Sequence, residues 1–185
     1  MCITVKQMMQ IEENGHQMGF SRKFMMENAG AAAAKRLVEK FGDVKSKKVL
    51  VFAGLGNNGG DGLVIARHLA GYGSTVSVVL LGESDNIRSE ECSWNWNLLE
   101  KMKSVKLLRG SGTASLWMDV DNLEPEIIID GILGTGISGK IREPHASAIP
   151  FTNNSNAFKL AVDVPSGLNP DTGETNQVCV NANMT

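Results

Sequence analysis

Residues 49–62 read VLVFAGLGNNGGDG. The apolar run 49–53 stops abruptly at Gly54. Gly56, Gly59, Gly60 and Gly62 then crowd around Asn57, Asn58 and Asp61 before a helical pattern opens at Leu63. An apolar strand feeding a glycine-rich turn and a helix start leaves backbone N–H groups without intrahelical partners, and such groups attract anions. Glycine lets a ligand come close to the chain there. Gly54, Gly56 and Gly59 also satisfy G-x-G-x-x-G, the spacing of dinucleotide-binding turns. That spacing alone is common; the N-N-G-G-D filling is the more specific part.

Beyond this stretch the chain alternates. Apolar runs at 75–81, 105–108, 127–130 and 158–163 read as strands. Helical patterns at 61–71, 86–102 and 144–151, and a weakly marked segment at 114–120, lie between them. Such alternation predicts a mostly parallel sheet covered on both faces. Two helices are expected before the first strand. One spans 4–17, with Thr4 as N-cap, Gly15 as its stop and a partly apolar face of Val5, Met8, Met9 and Ile11. The other spans 21–41 and ends at Gly42; Phe24, Met25, Ala29, Ala32, Ala33, Leu37 and Phe41 recur at helical spacing. Its methionines read as core filler, and 29–34 is slim enough for close packing. The fold class is therefore α/β: a three-layer α/β/α sandwich with a mostly parallel central sheet and two extra N-terminal helices. Residues 177–180 start another strand-like pattern that ends without a helix. The expectation is a single domain over 1–185 whose last strand, or a following domain, lies beyond Thr185.

A chain of 185 residues, 42% hydrophobic and 21% charged with net charge −2, has ordinary globular composition and no basic surplus for nucleic acid. Cys2, Cys92 and Cys179 are odd in number and scattered, which favours reduced thiols over a disulfide framework. No apolar stretch is long enough to span a bilayer and no signal-peptide core opens the chain. The expected location is cytoplasmic, with neither membrane nor nucleic acid as partner.

In an open parallel sheet, ligands bind outside the carboxyl ends of the strands. Three loops after strands are rich in glycine and charge: 54–62, 130–143 and 163–174. Each carries a carboxylate near a strand end or helix start, namely Asp61, Asp130 and Asp163. Asp61 suits a helix N-terminus as well as it suits a ligand. Asp130 and Asp163 end runs of β-branched residues, where a buried carboxylate needs a partner. Two carboxylates beside an anion cradle repel phosphate, and a bound cation resolves the conflict. Oxygens from Asn58, Asp130 and Ser166 suit a hard alkali or alkaline-earth ion. The middle loop, GTGISGKIREPH over 134–145, adds Lys140, Arg142 and exposed N–H groups fit for a pyrophosphate. His145, in the first turn of a helix, reads as structural.

Three segments, GLGNNGGDG (54–62), DGILGTGISGKIREP (130–144) and VDVPSGLNPDTG (162–173), together resemble the signatures of the NAD(P)H-hydrate epimerase family, in the family's order. This is the N-terminal domain type of the bifunctional hydrate-repair proteins, to which apolipoprotein A-I-binding-protein-like chains also belong. The resemblance implies a Rossmann-like sandwich, a homodimer, and interconversion of the R and S forms of hydrated NADH or NADPH (NADHX and NADPHX), hydroxylated at C6 of the nicotinamide ring. The hydrate is the substrate rather than a cofactor, and a dehydratase is the functional partner. By the same resemblance Asn57, Asn58, Gly59, Gly60 and Asp61 contact substrate. So do Gly134, Thr135, Gly136, Ile137, Ser138, Gly139, Lys140 and Asp163. Asn58, Asp130 and Ser166 hold a potassium ion. Loss of hydroxide from C6 gives an iminium ion that water attacks from either face, which needs an acid. Asp163 takes that role, with Lys140 assisting. Leu55 and Asn169 depart from residues common in the family.

Two other classes compete. A nicotinamide-dependent oxidoreductase would use the glycine turn, with Glu83 on a ribose, but Asp61 stands where pyrophosphate would dock. A non-enzymatic nucleotide- or protein-binding module is the other.

Overall fold

The computed structural model describes residues 3–110, 114–135, 140–175 and 178–185. Five parallel strands form one sheet: β1 (Lys48–Ala53), β2 (Thr75–Leu80), β3 (Val105–Arg109), β4 (Ile127–Gly131) and β5 (Phe158–Ala161), in the order β3-β2-β1-β4-β5. In β1 every residue after Lys48 is buried, and β4 is buried throughout, as strands covered on both faces must be. The register sets Val51 between Val78 and Ile129. The chain winds outward through β1, β2 and β3, then returns past β1 to lay down β4. The strand order therefore reverses between β1 and β4, the place where such sheets open a crevice.

Helices α2 (Arg22–Phe41), α3 (Asn57–Gly71) and α4 (Glu90–Lys101) share one apolar core, which includes Leu37, Leu63, Leu69, Trp96 and Leu99. Helices α5 (Ala114–Asp121) and α6 (His145–Asn154) share the other with Phe52, Leu116, Val120 and Ile149. Each fully buried leucine or isoleucine stabilises the fold by roughly 1.5–3 kcal/mol. The α/β/α architecture is the expected one. The segment 114–120, weakly marked in sequence, is α5.

The N-terminal helix α1 (Val5–Gln17) starts at its expected cap. The Thr4 side chain accepts from Gln7 N while the Gln7 side chain accepts from Thr4 N, a full capping box. It does not stop at Gly15. A Cβ there would sit 2.7 Å from Met25 Cε, so the glycine lets α1 approach α2. The apolar face of α1 is not buried: Met8, Met9 and Ile11 are exposed, as is Phe24 of α2. The core-filler reading holds for Met26 alone, since Met25 is only half-buried.

Two further expectations change. The helix expected over 86–102 is split into a 3-10 turn, Ser84–Asn86, and α4, because the Ser89 hydroxyl accepts from Cys92 N and caps a new start. Residues 178–180 form no strand. Instead the chain runs beside β5, where Met184 bridges Leu160 in parallel and its carbonyl accepts from Ala161 N at 2.9 Å. Gln177 lies outside the described residues.

The α2–α3 contact depends on Gly30, where a Cβ would come 2.5 Å from both Cβ and Cγ1 of Val64. Gly30→Ala is expected to lower unfolding stability by about 1–3 kcal/mol. In a Val64→Ala background most of that loss should disappear; urea titration of the four variants reads both outcomes.

Candidate active site

The helix after β1 begins earlier than its sequence suggests. Asn57–Gly60, which precede the expected helix over 61–71, form the opening turn of α3. The extended Gly56 is the N-cap and no side chain caps the helix, so its first N–H groups stay available. The turn is closed too tightly for side chains. A Cβ on Gly54 would lie 2.1 Å from the Ile132 carbonyl oxygen, and one on Gly59 only 1.9 Å from the Gly54 oxygen. Gly54 N donates to the Gly131 carbonyl at 2.9 Å, which docks the end of β1 on the end of β4.

This docking brings the second and third loops to the start of α3. Asp130, on β4, is fully buried; it accepts from Ser166 N at 2.9 Å, from Ser166 Oγ, and from Ile132 N at 3.2 Å. Ser166, equally buried, also accepts from Leu133 N at 2.9 Å. The next residue, Gly134, lies against Asn58: a Cβ there would sit 3.2 Å from Asn58 Cβ. The Asn58 side chain is buried, and neither its Oδ1 nor its Nδ2 has a hydrogen-bond partner. Burial pushes Asp130 up to about 6 although Ser166 and Ile132 pull it down. No cationic side chain pairs with it among the described residues.

Asp61 and Asp163 face one another electrostatically. Asp61 is raised to about 7, first by desolvation, then by the charges of Asp163 and Glu12. Asp163 is on the surface side of this pair, and partial desolvation raises it too. Its φ of 65° puts it in the left-handed region, at the apex of a three-residue turn closed by Val164 N to Val162 O at 2.8 Å. Such turns are rare and strained for a residue with a Cβ.

Asn57, Gly59 and Gly60 lie in the opening turns of α3, Asn57 exposed and the glycines buried. Gly134 and Thr135 are half-buried, and Lys140 is exposed. Gly136, Ile137, Ser138 and Gly139 fall outside the described residues. Sequence reasoning passed over three neighbours. Glu12 of α1 adds charge to Asp61. Cys92 lies under the glycine turn, its thiol pushed up to about 12 by burial and by Asp61. Arg88, whose N–H holds the Leu55 carbonyl at 2.8 Å, reaches the outer side of the turn. None belongs to a motif. Only the neighbouring of β1 and β2 in the sheet points to Arg88.

The sequence pattern described as YjeF-related protein N-terminus matches residues 22–185. A protein named NAD(P)H-hydrate epimerase from Nitrosopumilus maritimus is 61% identical over 183 residues, covering 99% of this chain and 82% of that one. The chain belongs to the NAD(P)H-hydrate epimerase family. A namesake from Cenarchaeum symbiosum is 57% identical, with 100% of this chain and 83% of that one covered. A bifunctional NAD(P)H-hydrate repair enzyme Nnr from Methanothermobacter thermautotrophicus is 42% identical over 93% of this chain, but only 33% of its own length is covered. Among solved structures, that of yeast ynu0, YNL200c, superposes with a TM-score of 0.84 at 30% identity, covering 98% of this chain and 77% of that one. The start of α3, residues 130–134 and Ser166 thus meet at the β1/β4 switch point.

The Asp61 carboxyl holds its proton more tightly in the folded chain, at about 7, than an unfolded aspartate at its ordinary 3.8. Stability therefore falls as pH rises between those values. Asp61→Asn is expected to add on the order of 2 kcal/mol at pH 8 and almost nothing at pH 4, read from urea midpoints at the two pH values.

Proposed function

We propose that this chain interconverts the R and S epimers of hydrated NADH and NADPH at C6 of the nicotinamide ring, an isomerase activity that repairs damaged cofactor. The observation that carries the reading is the Asp61–Asp163 pair at the open start of α3, beside the buried Asn58, Asp130 and Ser166. The C6 hydroxyl sits next to the ring nitrogen. Asp163 protonates it, the C6–O bond breaks, and water leaves behind an iminium ion. Water then adds to the other face and returns its proton to Asp163, so nothing is oxidised or reduced. Asp163 suits this because partial desolvation raises its carboxyl above the ordinary aspartate value while it stays reachable from solvent. The negative charge shared by Asp61 and Asp163 favours the cation. Lys140 orients the substrate or assists the proton transfer. Asn57–Asp61 and 134–140 bind it, with the pyrophosphate drawn to backbone N–H groups.

The residues also fit a potassium ion. Asn58 keeps a buried, unpartnered amide oxygen, and Asp130 is a buried carboxylate without a cation partner. Among the described residues no cluster of three or more His, Cys, Asp or Glu could hold a metal. One carboxylate with an amide and a hydroxyl is instead the oxygen set of a hard, weakly charged ion. Asn58, Asp130 and Ser166 would hold it. A bound potassium ion supplies a fixed positive charge that offsets the carboxylates where an anionic substrate must approach.

In this reading the chain acts as a homodimer in the cytoplasm and hands its product to a hydrate dehydratase. Dehydratase action on one epimer makes the supply of the other worthwhile. Among the described residues no helix is long and apolar enough to cross a membrane.

Two measurements test the reading. With an S-specific dehydratase as reporter, Asp163→Ala should slow consumption of the R epimer by roughly 10²–10⁴-fold in a protein that still unfolds cooperatively; a wild-type rate would remove Asp163 from the chemistry. Potassium chloride should raise stability by on the order of 1–2 kcal/mol over sodium chloride at equal ionic strength. Asn58→Ala should abolish that difference, measured by thermal unfolding.

A further inference from the structure

Arg88 has no role in the chemistry above, yet the fold fastens it to the glycine turn. Its backbone N–H donates to the Leu55 carbonyl at 2.8 Å. Its Nη2 lies 3.9 Å from where a Gly56 Cβ would be, so the guanidinium lies beside bare backbone at the N-cap of α3. Gly82, at the end of β2, supports the same approach: a Cβ there would meet Leu55 at 2.9 Å. The Arg88 charge is also felt at His145, the first residue of α6. The middle loop thus returns to the same corner.

The Arg88 side chain is exposed, so its guanidinium is open to an incoming ligand. Arg22, Arg36, Arg67 and Arg109 each pair with a glutamate, whereas Arg88 has no carboxylate partner among the described residues. In the same turn the Asn58 amide is 9% exposed, and with its oxygen turned to the potassium ion its unbonded Nδ2 donor is left for an anion. A planar five-donor cation beside uncapped helix N–H groups matches a phosphate oxygen better than any other common group. Desolvation and the Arg88 charge favour a neutral His145, which leaves the imidazole able to donate one hydrogen bond without competing for the arginine's anion.

We propose that Arg88 is a phosphate ligand for the nucleotide substrate, holding a phosphoryl oxygen against the backbone at Gly56. The inference rests on the epimerase reading for the identity of the nucleotide, and it makes Arg88 a determinant of affinity rather than of chemistry. Two phosphates could occupy the position: the pyrophosphate common to both hydrates, or the adenosine 2′-phosphate found only in NADPHX.

Calorimetry of the full chain with ADP-ribose and with 2′-phospho-ADP-ribose separates them. Loss of one charge-assisted contact is expected to weaken binding about 10–100-fold in Arg88→Gln, with partial recovery in Arg88→Lys. Equal weakening of both nucleotides assigns the pyrophosphate; weakening of the 2′-phosphorylated one alone assigns the 2′-phosphate and a preference for NADPHX. In turnover the same variant should raise KM with kcat within about twofold of wild type. Wild-type affinity for both nucleotides in Arg88→Gln, no binding by the wild-type chain, or a fall in kcat at unchanged KM would each overturn the inference. A chain that binds ADP-ribose through Arg88 yet fails to equilibrate the epimers would overturn the epimerase reading and leave this one standing.

Discussion

Backbone packed directly on backbone, where the ends of β1 and β4 meet, is the constraint from which the site follows. The Gly54 N–H bonds the Gly131 carbonyl, and the next turn folds back until Gly59 nearly touches Gly54. No residue with a Cβ fits at either place without moving main chain. The start of α3 is thereby drawn into the gap between two central strands rather than standing off above it. Asn58 then rests against Gly134, and the Asp61 charge is felt from the Asp163 turn. Position follows from contact distance, and chemistry follows from position.

The same closeness gathers negative charge under poor solvation. Asp130 is buried with three donors to its carboxylate but, among the described residues, no positive partner, and Asp61 shares its corner with Asp163 and Glu12. The cations of the middle loop, Lys140 and Arg142, remain exposed and unpaired among the described residues. In the framework, by contrast, Glu27 ties Arg67 and His68 of α3 to α2. Acids raised by desolvation at a strand-end crevice are where binding and proton transfer are expected. A groove lined by Asp121, Glu126, Phe151 and Asn154 lies at the opposite ends of the strands, where Glu126 is paired with Lys47.

The parallel α/β framework was readable because its signals are local. Continuous apolar runs such as 127–130, the Thr4 and Ser21 caps, and the left-handed Gly42 after α2 each declare an element without reference to the rest of the chain. Glycine as punctuation is where sequence and structure part. Gly15 and the glycines of 59–62 look like helix breakers, but they sit inside helices, because close packing on Met25, Gly54 or Met26 forbids a side chain. The apolar stripe of α1 misled for a related reason: periodicity states which residues share a face, not whether anything covers it.

Residue types and their order were enough to establish the alternating strands and helices, the three motif loops and the family to which they belong, because those depend on short-range pattern. Which groups lose their water, which charges feel one another, and which cations find partners depend on distances between segments far apart in the chain. The raised Asp61, the orphaned Asn58 amide and the placing of Arg88 beside Gly56 therefore emerged only once β1, β2 and β4 lay side by side.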